Sequence, residues 1–569
     1  MEQTGKLKLS PALKLSPAEI VSVLSLFLAL LVGAVVAIRH GWLPISDEAL
    51  IELRVRDVPS ELPLVGVYSR FGWSHPGPAL FYVLAPFYWL GRSASTALIV
   101  GAMCIHLAFG LVAWISSRAL NRVGGLVVLA GVAAVLATTS PTLLRTPWNP
   151  YVVLVGGFAV VCLAWSMAER RRLGSLLLFA TATFLIQSHL VTAPMVLAVV
   201  FTSGALALVP LSGQDRMPWK WLAGGAALAA FMWLPPLIQQ FWGSEGNLTA
   251  LLDRGGEGKS AGLAAGIGVL SRAFALRPSI LNPGELSNVF VSTDPAVPVW
   301  LLLPAAGVVL AIRRRDWTHI RGLVICFAGL LGTWAALAAT TNGLFNYLIL
   351  GVRPIAMITM CVGTSSILVS INALQDSAKM WTLAACVVLL STSIAYQQLG
   401  AQNPFETYAP TIREIEDATL TAAEGRTTEV TSAADIYSSE VASALLLQLE
   451  RSGIDARSSE FGAAKVGDHR ARHGAEYQVI VAPIQMKTSL ADSGWEILEV
   501  YQPIGAGDRA RIQKLIDERT DLAEKPSAGV GGMSDSEKAR GIDRITKEIE
   551  RVDRGRVPLL VAGRTSPAD

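Results

Sequence analysis

Residues 20–38, IVSVLSLFLALLVGAVVAI, run for nineteen positions without a charge. At about 1.5 Å per helical residue, such a run crosses nearly the whole hydrocarbon core of a bilayer. A chain with one such segment can be anchored, but a chain with many must fold inside the membrane. This one has many. Of 569 residues, 52% are hydrophobic and 16% charged, with a mean hydropathy of +0.46, which excludes an ordinary soluble protein of this size. The net charge of +3 says little, because the basic residues are segregated by side; membrane lipids are the expected surroundings, and no nucleic-acid partner is expected. All five cysteines (Cys104, Cys162, Cys326, Cys361 and Cys386) lie in apolar runs without a CxxC, so neither a disulfide framework nor a structural zinc site is expected. Lys6, Lys8 and Lys14 precede the first run, and no A-x-A-like site follows it, so it reads as a retained span rather than a cleaved signal.

About eleven spans are expected, near 19–39, 94–116, 124–142, 151–168, 173–189, 190–210, 218–238, 298–313, 320–341, 345–371 and 379–397. With the N-terminus in the cytoplasm, the inner connections are SRALNR (117–122), ERRRL (169–173), QDRMPWK (214–220), RRRDWTHIR (313–321) and QDSAK (375–379). Each carries Lys or Arg, whereas the outer connections near 143–150 and 341–346 contain only Arg145. This is the positive-inside asymmetry. Residues 77–91, GPALFYVLAPFYWLG, are too few to span, and their aromatic residues suit a helix lying in the outer interface.

The expected organisation is a cytoplasmic N-terminus (1–18), a transmembrane domain (19–397) with long outer loops at 40–93 and 239–297, an extracytoplasmic α/β domain (398–523) and a flexible tail (524–569). The α/β domain is expected from strand-like TEVTSAA (428–434), YQVIVAP (477–483) and WEILEVYQP (495–503), alternating with helix-like 438–453 and 508–519. No internal repeat is visible, which weighs against a repeat-built transporter. NLT at 247–249 matches a glycosylation sequon, a pattern short enough to arise by chance.

The first outer loop opens on SDEALIELRVRDV (46–58), which reads as a helix capped by Ser46 with Asp47 and Glu48 at its positive end. Ile51, Val55 and Val58, with Leu50 and Leu53 beside them, make an apolar face able to rest on a membrane surface. Glu52 is expected to face Arg56 one turn on. A carboxylate held at the rim of a membrane cavity can take a proton from a hydroxyl or hold a divalent cation.

DEALIEL soon after the first span, HPGPALFYVLAPFYWLG behind it, and a span ending in a basic turn resemble the GT-C glycosyltransferases, in particular the protein O-mannosyltransferases and lipid A aminoarabinose transferases. The likeness covers about residues 19–170, with a weaker echo in NYLILGVRPIAMI (346–358). It implies sugar transfer from a polyprenyl-phosphate donor on the outer side of the membrane. Asp47, first of the acid pair, would be the base or metal-linked residue. Where the family often has an acid after the third span, LLRTPWNPY places Asn149, which can bond a hydroxyl but cannot act as a base.

Other candidates are weighed singly. Arg353, about seven residues into the tenth span, reads as a phosphate clamp, the alternative being a structural ion pair. His75, before Pro76, could orient an acceptor or bind phosphate, or be a water-exposed helix start. His189 reads first as an interfacial histidine. Arg145, Trp148 and Asn149 share an outer loop, where Trp148 could stack on a sugar. His106 is expected to be packed. No Walker motif, GxGxxG or nucleophile elbow sits in a suitable context.

The sequence therefore predicts a polytopic α-helical membrane protein, GT-C-like, with a C-terminal soluble α/β domain. The expected activity is that of an inverting glycosyltransferase in a bacterial plasma membrane, N-terminus cytoplasmic and C-terminal domain outside. Asp47 is the expected catalytic base. Glu48, His75, Arg145, Trp148, Asn149, His189 and Arg353 are the expected substrate or donor residues, with Mg or Mn held by Asp47 and Glu48 if a cation takes part. The partners would be a polyprenyl-phosphate-linked sugar and a glycan, lipid or protein acceptor. The competing readings are a transporter or flippase of lipid-linked sugars and a non-catalytic envelope assembly protein.

Overall fold

The structure is a computed structural model. It describes residues 14–566 apart from 70, 210, 212–213, 215, 244–245, 255–257, 285–288, 342, 372–374, 502–505, 525–540, 547 and 549–558. Lys6, Lys8 and most of the glycine- and serine-rich segment after 524 thus lie outside the described residues. The chain divides into two compact units, one of Met1–Gly41 with Val55–Pro404, the other of Trp42–Arg54 with Phe405–Asp569.

The first unit is helical, and each of the eleven expected apolar segments holds a helix. Among the described residues, eight helical stretches are long and apolar enough to cross a membrane: Pro17–His40, Thr96–Arg118, Asn149–Ala168, Leu190–Leu208, Trp219–Trp242, Trp317–Ala339, Asn346–Ser370 and Asp376–Leu399. Arg122–Ala137 and Arg172–Ser188 are apolar but shorter. The first helix starts on a capping box. Ser16 Oγ accepts from Glu19 N–H at 3.3 Å, and the Glu19 carboxylate accepts from Ser16 N–H at 2.8 Å. Glu19 is fully buried and also binds Arg118 and Arg122, so the same end of three helices is tied by one carboxylate. Close helix packing relies on small residues. A Cβ on Gly307 would meet Gly363 Cα at 2.8 Å, and one on Gly332 would meet the Pro194 carbonyl at 2.4 Å.

Between the first two long helices the chain forms a short antiparallel hairpin, β1 (Tyr68–Ser69) and β2 (Trp73–Ser74), then a 12-residue helix, Ala79–Leu90. That helix buries Leu80, Phe81, Leu84 and Tyr88 and exposes Trp89 and Leu90. The loop between Trp242 and Leu302 is fastened to the hairpin by Asn247, whose amide accepts from Ser74 N–H at 2.8 Å and donates to Ser74 O at 2.9 Å. The sequon asparagine is therefore buried and engaged.

The second unit is built on a five-stranded sheet ordered β4-β3-β5-β7-β6, where β3 is Thr428–Ser432, β4 Ala456–Arg457, β5 Tyr477–Pro483, β6 Glu496–Tyr501 and β7 Leu559–Thr565. β3 runs parallel to β4 and β5, and β7 is antiparallel to β5 and β6. The expectation of a flexible tail over 524–569 is corrected here. Leu559–Thr565 lies inside the sheet and pairs with β5 at seven positions, and Leu559, Leu560, Val561 and Ala562 are buried. Its run LLVA, apolar on both faces, is what an inner strand needs.

The acidic helix Ser46–Asp57 is a second correction. Ala49 and Leu53 belong to the core of the second unit with Val441, Leu445, Leu449, Val479 and Val561, and Ile45 packs with Ile412 and Ala444. Ile51 and Val55 are also buried, so the apolar face expected to rest on a membrane is not available for it. The helix begins at Ser46, where it is expected, and ends at Asp57, one residue short of the expected end. The Ile45 carbonyl accepts from Glu48 and Ala49 N–H, and Ser46, expected as the cap, lies in the first turn with φ +53°. Glu52 is fully buried and pairs with Arg451 at 3.4 Å, while Arg56 donates to the Tyr88 hydroxyl at 3.1 Å.

Candidate functional site

Two groups of residues carry chemistry, one in each unit. In the membrane unit, the hairpin sets the first. Beyond β2 the ladder continues, with His75 N–H bonded to Val67 O and Gly66 N–H to His75 O, both at 2.9 Å, which fixes the direction of the His75 ring. His75 Nδ1 accepts from Leu190 N–H at 3.2 Å, which leaves its proton on Nε2. The ring meets Trp73 edge-on at 5.4 Å and His189 at 5.5 Å. His75, expected at a water-exposed helix start or a ligand site, is buried, and so is His189. Burial first, then the neighbouring His189, holds His75 well below the usual histidine range. Burial pushes His189 down to about 4, opposed by the Leu348 backbone. Both rings are neutral at pH 7, so the pair can orient a polar group but offers no cation to a phosphate. Asn149 is buried beside them and donates to Ser188 O at 2.7 Å.

Arg353 lies seven residues into the apolar stretch Asn346–Ser370, as expected, and stands in the first turn of the helix Val352–Ser370, after a short 3-10 turn over Asn346–Ile349. Its guanidinium donates to Asn282 O at 3.2 Å and Thr138 O at 3.5 Å. It lines a small open cleft with Ser279, Asn346, Ile280, Val291 and Leu350. A second small cleft, lined by Val191, Met195, Leu337 and Leu348 among others, shares Ile349 and Val352 with the first. A guanidinium and the positive end of a 19-residue helix therefore stand at a mainly apolar cleft, an arrangement suited to a phosphate on a hydrocarbon chain. Trp148 packs against Tyr347 at 5.1 Å and Tyr151 at 5.7 Å, and Tyr347 against Phe345 at 5.6 Å, so Trp148 belongs to an aromatic row joining two outer segments.

Arg145 is corrected from a donor-binding residue to a clamp. It is fully buried and donates to Gln398 Oε1 (2.9 Å), Gln398 O (2.6 Å), Ala401 O (2.8 Å) and Asn403 Oδ1 (3.2 Å). It holds the turn Pro141–Arg145 to the end of the last long helix. His106 is fully buried in the helix Thr96–Arg118, as a packed residue would be. Asp316, His319 and Ser365 form a hydrogen-bonded chain of 2.8 and 3.0 Å with the order of a hydrolase triad. Ser365 is buried against Gly124, so this chain is a strut between helices, not a nucleophile.

In the second unit, Asp47 is half-buried and Glu48 buried at the start of the acidic helix. The facing helix Ile436–Arg451 brings Glu440, whose carboxyl is pushed up to about 7 by burial and then by the charge of Asp47, against a hydrogen bond from Tyr408. The Ser443 hydroxyl reaches Ser46 O at 3.5 Å. Among the described residues no group of three or more His, Cys, Asp or Glu gathers as a metal-holding set. Sequence reasoning missed Asn247, Glu440 and Arg451, whose partners lie between 170 and 400 residues away in the chain and leave no local pattern.

The first unit is a multi-pass helical membrane fold, and the second an α/β unit on a five-stranded sheet. The solved structures that share this fold include ArnT from Cupriavidus metallidurans bound to undecaprenyl phosphate, with a TM-score of 0.50 and 12% identity over 84% of this chain and 96% of that one. The apo state of the same protein aligns over 85% and 97%, with a TM-score of 0.49 and 13% identity. No protein-family model matches the sequence. No curated protein matches it either.

Proposed function

We propose that this protein is a membrane glycosyltransferase that moves a sugar from a polyprenyl-phosphate donor to an envelope glycan, lipid or protein on the outer side of the membrane. The observation that carries this reading is the cleft at Arg353, a guanidinium at a helix N-terminus facing apolar walls, in a fold shared with a protein crystallised with undecaprenyl phosphate. Arg353 would hold the donor phosphate and stabilise its charge as the sugar leaves. The apolar walls would take the first isoprene units. Asp47 would accept the proton of the acceptor hydroxyl as that oxygen attacks the anomeric carbon, an inverting displacement in which polyprenyl phosphate departs. His75, His189 and Asn149 would orient neutral hydroxyl groups, and Trp148 would offer a stacking face.

Retention of undecaprenyl phosphate by the purified protein, read by native mass spectrometry, tests the cleft. Arg353→Ala is expected to weaken retention about tenfold or more, and Arg353→Lys to recover part of it, because lysine lacks the bidentate fork. Unchanged retention by a folded Arg353→Ala protein would remove the assignment. Release of sugar-free polyprenyl phosphate alongside a glycosylated acceptor separates transfer from flipping.

A further inference from the structure

Within the first unit, the hairpin and the turn after Arg172–Ser188 bury polar atoms that the fold does not satisfy. Among the described residues, Trp73 Nε1, Gln187 Oε1, Ser188 Oγ and both ring nitrogens of His189 are buried and make no hydrogen bond of good geometry. The Leu348 backbone lies beside His189 and can take one of its nitrogens at most. Trp73 and His75 stand two residues apart on an extended segment, so their side chains leave the same face, and their rings meet edge-on at 5.4 Å. His75 lies 5.5 Å from His189 in turn. These rings are held from both sides. Asn247 occupies the open edge of the hairpin by bonding both backbone groups of Ser74, and Leu190 N–H holds His75 Nδ1. The group therefore offers the Trp73 N–H, the His75 Nε2–H, and a donor and an acceptor on neutral His189. It also adjoins the clefts. Leu348 lines the second cleft with Val191 and Thr192, which follow His189 closely, and that cleft shares Ile349 and Val352 with the one at Arg353.

We propose that Trp73, His75 and His189 form the subsite for the sugar of the lipid donor, and that this sugar is uncharged. The inference rests on the reading of the Arg353 cleft as the place of the donor phosphate. A hydroxyl both donates and accepts, so the hydroxyls of one sugar ring can satisfy an indole N–H, an imidazole N–H and a bare imidazole nitrogen together. A carboxylate or ammonium group brought there would lose its hydration, and an indole with two neutral imidazoles supplies no opposite charge in its place. A site built on hydrogen bonds rejects a ligand that lacks them, because its buried polar groups are then left unpaired. Bare polyprenyl phosphate, the product of transfer, leaves Trp73 and His189 unpaired again. The spent lipid is therefore held less tightly than the donor, which favours its exchange for a fresh one.

The test uses full-length protein in one detergent preparation, with competitive retention of lipids read by native mass spectrometry. The probes are undecaprenyl phosphate, its glucosyl, mannosyl and arabinosyl derivatives, and an aminoarabinosyl derivative that carries an ammonium group. At least one uncharged sugar lipid is expected to be retained about tenfold better than undecaprenyl phosphate and about tenfold better than the ammonium lipid, the scale of one or two good hydrogen bonds. His189→Phe removes both ring nitrogens, and Trp73→Phe removes the N–H, while each keeps an aromatic ring in place. Each should cut the sugar advantage about threefold or more and leave retention of undecaprenyl phosphate as in wild type. No advantage over undecaprenyl phosphate, an advantage that survives either substitution, or equal retention of the ammonium lipid overturns the inference while leaving the cleft reading intact. Equal retention of undecaprenyl phosphate by wild type and Arg353→Ala sinks the cleft reading, and the inference with it.

Discussion

Glu52→Gln should damage the C-terminal domain although it removes only one charge. Glu52 is fully buried, and its carboxylate lies 3.4 Å from the Arg451 guanidinium, whose side chain is 28% exposed. At an effective dielectric constant of about 20, that separation corresponds to about 5 kcal/mol of attraction, much of it offset by desolvation of the carboxylate. Removing one partner of a buried pair costs about 3–5 kcal/mol, because the other charge is left behind. Arg451 can rehydrate through its exposed part, which lowers the expected loss to about 2–3 kcal/mol. The loss can be read as reduced hydrogen-exchange protection of β3 and β5 amides in the full-length protein, at a pH where both groups are charged. Arg451→Met should lose a similar amount, and the double variant should lose clearly less than the sum. Glu52→Gln within about 0.5 kcal/mol of wild type, the range of an ordinary surface substitution, would refute the buried pairing.

Deleting residues 559–569 removes β7 from between β5 and β6, and should abolish protease resistance of the C-terminal domain. A truncated domain that stays resistant would refute the assignment of β7 to the sheet. Folding raises the carboxyl of Glu440 from 4.5 to about 7, so the folded state binds more protons between those values and loses stability as pH rises through them. Glu440→Gln should therefore stabilise the domain at pH 8 by about 1–2 kcal/mol, allowing for the solvent access of a half-buried group, and do nothing at pH 4; equal stability at pH 8 would contradict the shift. Arg145→Leu leaves four buried acceptors unsatisfied and should lower the melting temperature of the membrane unit sharply, whereas a thermally normal Arg145→Leu with weakened donor binding would return Arg145 to a ligand role.

The membrane part was legible because a span must be apolar over its whole length, and that pattern survives whatever the helix packs against. The strands 428–432, 477–483 and 496–501 were legible from their β-branched runs. β7 was not, because seven residues after a polar segment carry no turn chemistry linking them to partners more than 50 positions back. The acidic helix misled for a different reason. Its acids mark a surface only when they lack partners, and Glu52 has Arg451, 399 positions away. Ile51, Val55 and Val58, with Leu50 and Leu53 beside them, read as a stripe for a membrane surface, whereas Ala49 and Leu53 are buried in a protein core whose other members lie more than 350 positions away. Arg145 and Arg353 show the same limit. Both are arginines near outer loops, and only their acceptors separate the clamp from the candidate phosphate group, which stands at a cleft.

Asp47 carries the mechanistic claim, and one substitution tests it most directly. Asp47→Asn keeps the shape of the side chain and removes proton acceptance, so the domain should stay folded. Turnover from a polyprenyl-phosphate sugar, measured in the same preparation as wild type, should fall about a hundredfold or more, the scale of a lost general base. A folded Asp47→Asn protein that turns over at the wild-type rate would contradict the account and leave the acidic helix a structural element of the C-terminal domain.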